Sequence, residues 1–343
     1  MRTETRTRTE FAAAFAAAFL AACAAPPRPA RTTAVRLVDT AATSALAAMR
    51  EEGATTIVLR VEERDRVDEV RRAAVDVRAA GMRLGYWVEV ARSPSLAAAH
   101  SEHVATLQAH DEWRSAHEQA PVPAAGEVLV VDPWVPITTR EGYALQLDRV
   151  GALLNALPPA DEIWLCDLQS APSACGCGHP LCRWSTDYYL QAPGRGPKRP
   201  SGEPSSPDAA ARFCAEVEAR ARGARVVPVF VPECGEDDGL CHGVPCFDGA
   251  CWPALARQWA PVLARFDEVA VFVPTRSIGA VQDAGQVLAA VARMTRFERA
   301  GAPRIDLDPT RMTVVLESPL AELPDAIVSE AALEQGWQPR LRR

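Results

Sequence analysis

The residues best equipped for chemistry are gathered between Asp161 and Tyr189. There the apolar run Ile163-Trp164-Leu165-Cys166 ends at Asp167, and Gln169, Cys175, Cys177, His179, Cys182, Arg183, Trp184, Asp187, Tyr188 and Tyr189 follow. A carboxyl at a strand end serves as proton donor, base or nucleophile, depending on how its surroundings hold its proton. The thiols and the imidazole suit either disulfide bonds or a zinc ion. Further acids close other apolar runs: Asp39, Glu62, Glu89, Asp132, Glu233 and Glu317, with Arg276 just past the end of one more run.

Groups spread so widely along a chain need a scaffold to bring them together, and the hydrophobic pattern supplies one. Strands are expected at 35–39, 55–62, 84–90, 127–132, 162–167, 225–233, 268–274 and 312–317, with helices at 41–52, 65–80, 95–118, 141–156, 207–222, 253–265, 281–299 and 324–336. Alternation of this kind implies parallel pairing with right-handed crossovers, and eight repeats close an α/β barrel of the (β/α)8 TIM type. An open doubly wound sheet is the alternative. Against it, VRLVDTAATSA at the first strand contains neither G-x-G-x-x-G nor G-x-x-x-x-G-K. A barrel carries its site at the carboxyl ends of its strands, where these acids stand. Acids there also cap helices or pair with arginines across the mouth, an account that covers any single one better than all of them together.

Two expected strand-to-helix connections, 168–206 and 234–250, are far longer than usual. They hold Cys175, Cys177, Cys182, Cys234, Cys241 and Cys246, and Cys251 lies just beyond. Adjacent barrel loops lie side by side, so these cysteines are expected to form disulfides, with a structural zinc site as the alternative. Cys166 and Cys214 are expected to be small buried side chains. His100, His103, His110 and His117 fall in one expected helix and read as a solvated face. No G-x-S-x-G motif is present, nor an H-x-H pair after the first strand, so hydrolase triads and barrel metallohydrolases gain no support.

All 37 basic residues except Lys198 are arginine, the net charge is −7, and no basic run occurs, which argues against nucleic acid as a partner. Residues 1–22 read as an export signal, because Arg2, Arg6 and Arg8 precede an apolar segment too short to span a bilayer. Leu20-Ala21-Ala22-Cys23 resembles the lipobox of bacterial lipoproteins. That resemblance implies a diacylated Cys23 at the mature N-terminus and attachment to the cell membrane or outer membrane through the lipid alone. Residues 23–33 would then be a lipidated, proline-rich tether and 34–343 a single barrel domain.

Sugar rings present apolar faces that stack on Trp and Tyr, while their hydroxyls need carboxylate partners. Eight β/α units, strand-end acids, loop aromatics and an exported address together resemble the glycoside-hydrolase barrels. CGCGHPLCRW after a mid-barrel acid also resembles segments of bacterial glycosidase-like barrel proteins of undetermined activity. The resemblance implies a membrane-tethered protein that acts on or binds a carbohydrate. Glycosidic cleavage needs one protonated and one ionised carboxyl, and by their strand-end placement Glu233 is expected as acid, Asp167 as nucleophile or base and Asp132 in support, with Trp134, Gln169, Trp184, Tyr188, Tyr189, Glu89, Arg276 and Glu317 expected to contact substrate. No cofactor is implied apart from the alternative zinc. The seventh strand ends in Pro274-Thr275-Arg276, where many retaining barrels place their nucleophile. This favours the other reading, a non-catalytic glycan-binding or scaffolding lipoprotein on a degenerate barrel. Geometry separates the two: carboxyls converging in an open cleft fit an enzyme, and carboxyls each neutralised by an arginine fit a scaffold.

Overall fold

The computed structural model describes residues 35–63, 65–104, 106–107, 134–168, 197–198, 208–230, 259–273, 296–297, 304–306 and 311–316. Seven strands form one parallel sheet, hydrogen-bonded in chain order: β1 (Val35–Asp39), β2 (Thr56–Val61), β3 (Arg83–Glu89), β4 (Glu162–Cys166), β5 (Arg225–Phe230), β6 (Val269–Val273) and β7 (Met312–Leu316). Helices α1 (Leu46–Glu51), α2 (Val67–Ala79), α3 (Pro94–Ala99), α4 (Arg140–Ala156) and α5 (Ala209–Arg220) lie in the connections, and residues 259–263 are also helical.

Local sequence accounts for these helices. In α2 the buried Val70, Ala73, Ala74 and Val77 recur at helical spacing, Asp68 and Glu69 sit in the first turn, and Arg78 sits in the last, as the helix dipole favours. Gly81, at φ 73°, supplies the left-handed residue that ends it. Helix α4 is capped by Thr139, whose Oγ1 accepts the Gly142 N–H at 3.1 Å. A Cβ on Gly142 would overlap the Pro136 carbonyl oxygen, so the chain entering α4 packs only against glycine.

Successive residues of each strand face opposite sides of the sheet. On the helix-covered side Ile57, Leu59, Leu84, Val88, Ile163 and Leu165 pack with Val77, Val150, Phe213 and Val217. The other side gathers Leu37, Val58, Trp87, Trp164, Val227, Ala270, Phe272 and Val315. Leu37 of β1 and Val315 of β7 belong to this one inner cluster although the two strands are not hydrogen-bonded to each other, so the sheet curls around a shared interior. Trp87 lies near-parallel to Trp164 with centroids 6.3 Å apart, and Phe272 meets Trp87 edge-on at 5.1 Å. At the amino ends of the strands, Glu162 accepts from Arg83 at 3.0 Å, from Arg225 at 2.8 Å and from the Trp164 indole at 3.0 Å. Arg225 also pairs with Glu268. Burial opposes the Arg225 charge, but Glu268 and Glu162 together hold its pKa above the ordinary arginine value.

Three departures from the expected elements bear on the site. Strand β3 pairs directly with β4, Gly85 opposite Glu162 through Glu89 opposite Cys166. Since a strand has two ladder edges and β2 occupies the other, no strand stands between β3 and β4; residues 127–132, expected there, lie outside those described. The helix expected at 95–118 ends at Ala99, where His100 leaves helical geometry at φ −138°, ψ 60°. A short 3₁₀ turn, Ser101–His103, follows, and Thr106–Leu107 pairs antiparallel with Pro197–Lys198. His100 and His103 therefore do not share a helix face, and their rings stack 6.1 Å apart beside Glu102; His110 and His117 lie outside the described residues. Finally, Arg296–Phe297 pairs antiparallel with Ile305–Asp306, so the helix expected at 281–299 does not reach its end.

Candidate functional site

The carboxyl ends of β2, β3 and β4 bring together a chain of charged side chains. Arg60 faces the interior as the one charged residue of β2, because its neighbours Leu59 and Val61 alternate toward the helices. Its Nη2 lies 2.5 Å from Glu89 Oε1 and its Nε 3.9 Å from Glu62 Oε1. Glu89 closes β3, and three residues later Arg92 turns back over it. One guanidinium nitrogen of Arg92 is 3.5 Å from Glu89 Oε2 and the other 3.2 Å from Asp167 Oδ2. A single arginine thus links the ends of two neighbouring strands.

Asp167 continues the β3–β4 pairing past the strands, since its carbonyl accepts from Ala91 N at 3.2 Å and the Cys166 carbonyl accepts from Val90 N at 2.9 Å. Its backbone stands at φ 58°, a left-handed conformation that Asp adopts more readily than most residues. The side chain is only 1% exposed, and the Cys166 thiol lies 3.7 Å from its Oδ1.

A second layer fixes this chain from behind. Arg149, on the inner side of α4, donates from Nη2 to the carbonyls of Glu89 and Val90, both at 2.8 Å, and from Nε to Gln146 at 2.8 Å. Its Nη1 is 3.6 Å from Glu63. Burial pushes the Arg149 pKa below the usual arginine value, against the pull of Glu63 and Glu89. Glu63 also accepts from the Ser93 hydroxyl and, at 2.9 Å, from Ser95 N. Gln146 donates to the Val135 carbonyl at 2.9 Å, and Val135 N donates to Ala91 O at 2.7 Å, which ties α4 to the segment after β3.

The expected site residues fall into three groups. Glu89 and Asp167 come together through Arg92, with Glu62 alongside. Trp134 bridges Arg92 in antiparallel fashion, but its ring is buried against Ala91 and offers no open face. Asp39 is exposed at the end of β1, and its side chain caps nothing in the 3₁₀ turn that follows. Asp132, Gln169, Trp184, Tyr188, Tyr189, Glu233, Arg276 and Glu317 lie outside the described residues. So do Cys23 and the loop cysteines Cys175, Cys177, Cys182, Cys234, Cys241, Cys246 and Cys251. Cys166 and Cys214 are buried, as expected, and burial pushes the Cys214 thiol well above its usual value.

Sequence reasoning passed over Arg60, Glu63, Arg92 and Arg149. Arg60 had a signal, an arginine alternating into an apolar strand two residues before a strand-end acid. Arg149 had none, because it joins the site only through the packing of α4 on β3.

No family model matches the chain, and no curated protein matches it. Among solved structures it is similar to an α-amylase from Lactobacillus plantarum, at 10% identity over 77% of this chain and 58% of that one, TM-score 0.38. A glycoside hydrolase family 20 β-N-acetylglucosaminidase matches at 11% identity over 72% of this chain and 53% of that one, TM-score 0.37. The glycoside hydrolase domain of PelA from Pseudomonas aeruginosa matches at 12% identity over 90% of this chain and 93% of that one, TM-score 0.38. The chain spans little more than half the length of the first two. At such scores these likenesses decide neither the fold nor the activity.

Proposed function

We propose that this chain is an exported, lipid-anchored α/β-barrel protein that binds a carbohydrate at the carboxyl ends of its strands, without using the described carboxyls as proton donors. The observation that carries the reading is the chain Arg60–Glu89–Arg92–Asp167, in which each acid is held by at least one guanidinium. An adjacent positive charge keeps a carboxyl ionised, the state that accepts hydrogen bonds from sugar hydroxyls but cannot donate a proton to a leaving group. Glu62, 31% exposed beside this chain, is the acid best placed to meet a ligand. Attachment is through Cys23 and the tether to residue 33, and most of the seven loop cysteines pair as disulfides, which free-thiol counting on purified protein tests.

One observation favours a second reading, hydrolysis with Asp167 as nucleophile or base alongside Glu233 and Asp132. A left-handed backbone at a non-glycine strand end is a conformation that binding and catalytic sites retain, and a carboxyl held by Arg92 suits either role. A glycan panel scored for both retention and cleavage separates the two. The binding reading expects retention without product, weakened about tenfold or more by Glu62→Gln. Product formation that Asp167→Asn abolishes would establish the enzyme instead.

A further inference from the structure

We infer that the barrel interior holds one ordered water molecule between β1 and β7, which accepts the Trp87 indole N–H and donates to the Thr313 hydroxyl. Two observations carry this independently of the proposed function. The first is a cavity of about 10 Å³, lined by Val35 and Leu37 of β1, Val58 of β2, Thr313 and Val315 of β7, and by Trp87 and Trp164. The second is the Trp87 Nε1, which is buried and has no hydrogen-bond partner among the described residues.

The two stacked indoles are treated unequally. Trp164 donates to Glu162 at 3.0 Å, deep in the ion-pair network at the amino ends of the strands. Trp87 stands level with Trp164 in the β3–β4 register, two residues before Glu89 on the same face of β3, yet its indole makes no hydrogen bond to Glu162. A buried N–H left unmade is costly, and native interiors almost always supply a partner. A water needs roughly 10–15 Å³ and at least two polar neighbours, and this cavity offers the volume, the indole donor and a hydroxyl. Thr313 Oγ1 donates to Glu268 Oε1 at 3.4 Å, which leaves its lone pairs to accept from the water. The result is a polar line from Trp87 through water, Thr313, Glu268 and Arg225 to Glu162 and Trp164, which fixes both rings beneath the mouth.

The test is water-to-indole magnetisation transfer by NMR on the full chain labelled at tryptophan indole nitrogen, with Trp87 assigned by Trp87→Phe. A cross-peak from long-lived water is expected at Trp87 and not at Trp164. Thr313→Val should lose it and Thr313→Ser should keep it. Absence of the peak, with xenon instead shifting the Trp87 resonance, would show a dry apolar cavity and overturn the inference, as would a peak unchanged in Thr313→Val. Should a variant fail to fold, a high-resolution crystal structure of the unaltered protein decides, by a water within about 3 Å of Nε1 or none there.

Discussion

Replacing Arg92 with methionine removes a guanidinium that holds two carboxylates while keeping most of its apolar stem. The lost contacts are 3.5 Å to Glu89 and 3.2 Å to Asp167. Asp167 is 1% exposed, so water cannot take over the vacated role there. Removing one partner of a fully buried pair costs about 3–5 kcal/mol. Arg92 keeps 12% exposure and Glu89 retains Arg60, so the expected loss for R92M is nearer about 2–4 kcal/mol. At about 2–4 °C per kcal/mol this lowers Tm by roughly 5–15 °C. The assay is urea unfolding followed by tryptophan fluorescence for Arg92→Met, Asp167→Asn and the double variant. With Asp167 neutral, no buried charge is stranded by losing Arg92, so the double variant should be at least about 1.5 kcal/mol more stable than the sum of the two losses. If the losses add within about 0.5 kcal/mol, or Arg92→Met unfolds at the unaltered midpoint, Arg92 does not hold Asp167 and the strand-end acids are not neutralised as proposed.

Burial pushes the Tyr86 phenol up to about 12, with Arg78 and Arg222 pulling the other way, while its hydroxyl donates to Pro158 O at 3.1 Å. Above pH 10 the unfolded chain loses this proton and the folded chain does not, so stability should fall from about pH 10 to 12 by up to about 1.4 kcal/mol per unit, a slope that Tyr86→Phe removes in alkaline unfolding titrations. Gly142→Ala should cost about 1–3 kcal/mol in urea unfolding, since the new Cβ meets a backbone carbonyl that cannot turn aside. Cys166 and Cys214 should resist a thiol reagent in the folded, unreduced protein and react once it is unfolded; fast native labelling of either by mass spectrometry would contradict their burial.

The strands were legible in the sequence, because a fully buried strand reads as a short apolar run whatever lies beside it. Seven of the eight expected strands appear within a residue or two over the described positions, and α4 matches its expected span of 141–156 to one residue. Periodicity also located Glu89 and Asp167 at strand ends. What it misplaced was one neighbour relation, the strand expected between β3 and β4. The direct pairing of β3 with β4 depends on hydrogen bonds between residues more than 70 positions apart, and nothing in either run names its partner. Nor could it tell whether Glu89 and Asp167 face solvent or each other. That was decided by Arg92 folding back over its own strand, by Arg60 alternating inward, and by Arg149 reaching across from α4. A guanidinium on a long side chain spans several ångströms in any direction, so its partner is set by packing, and only the folded sheet turns a row of strand-end acids into a chain of ion pairs.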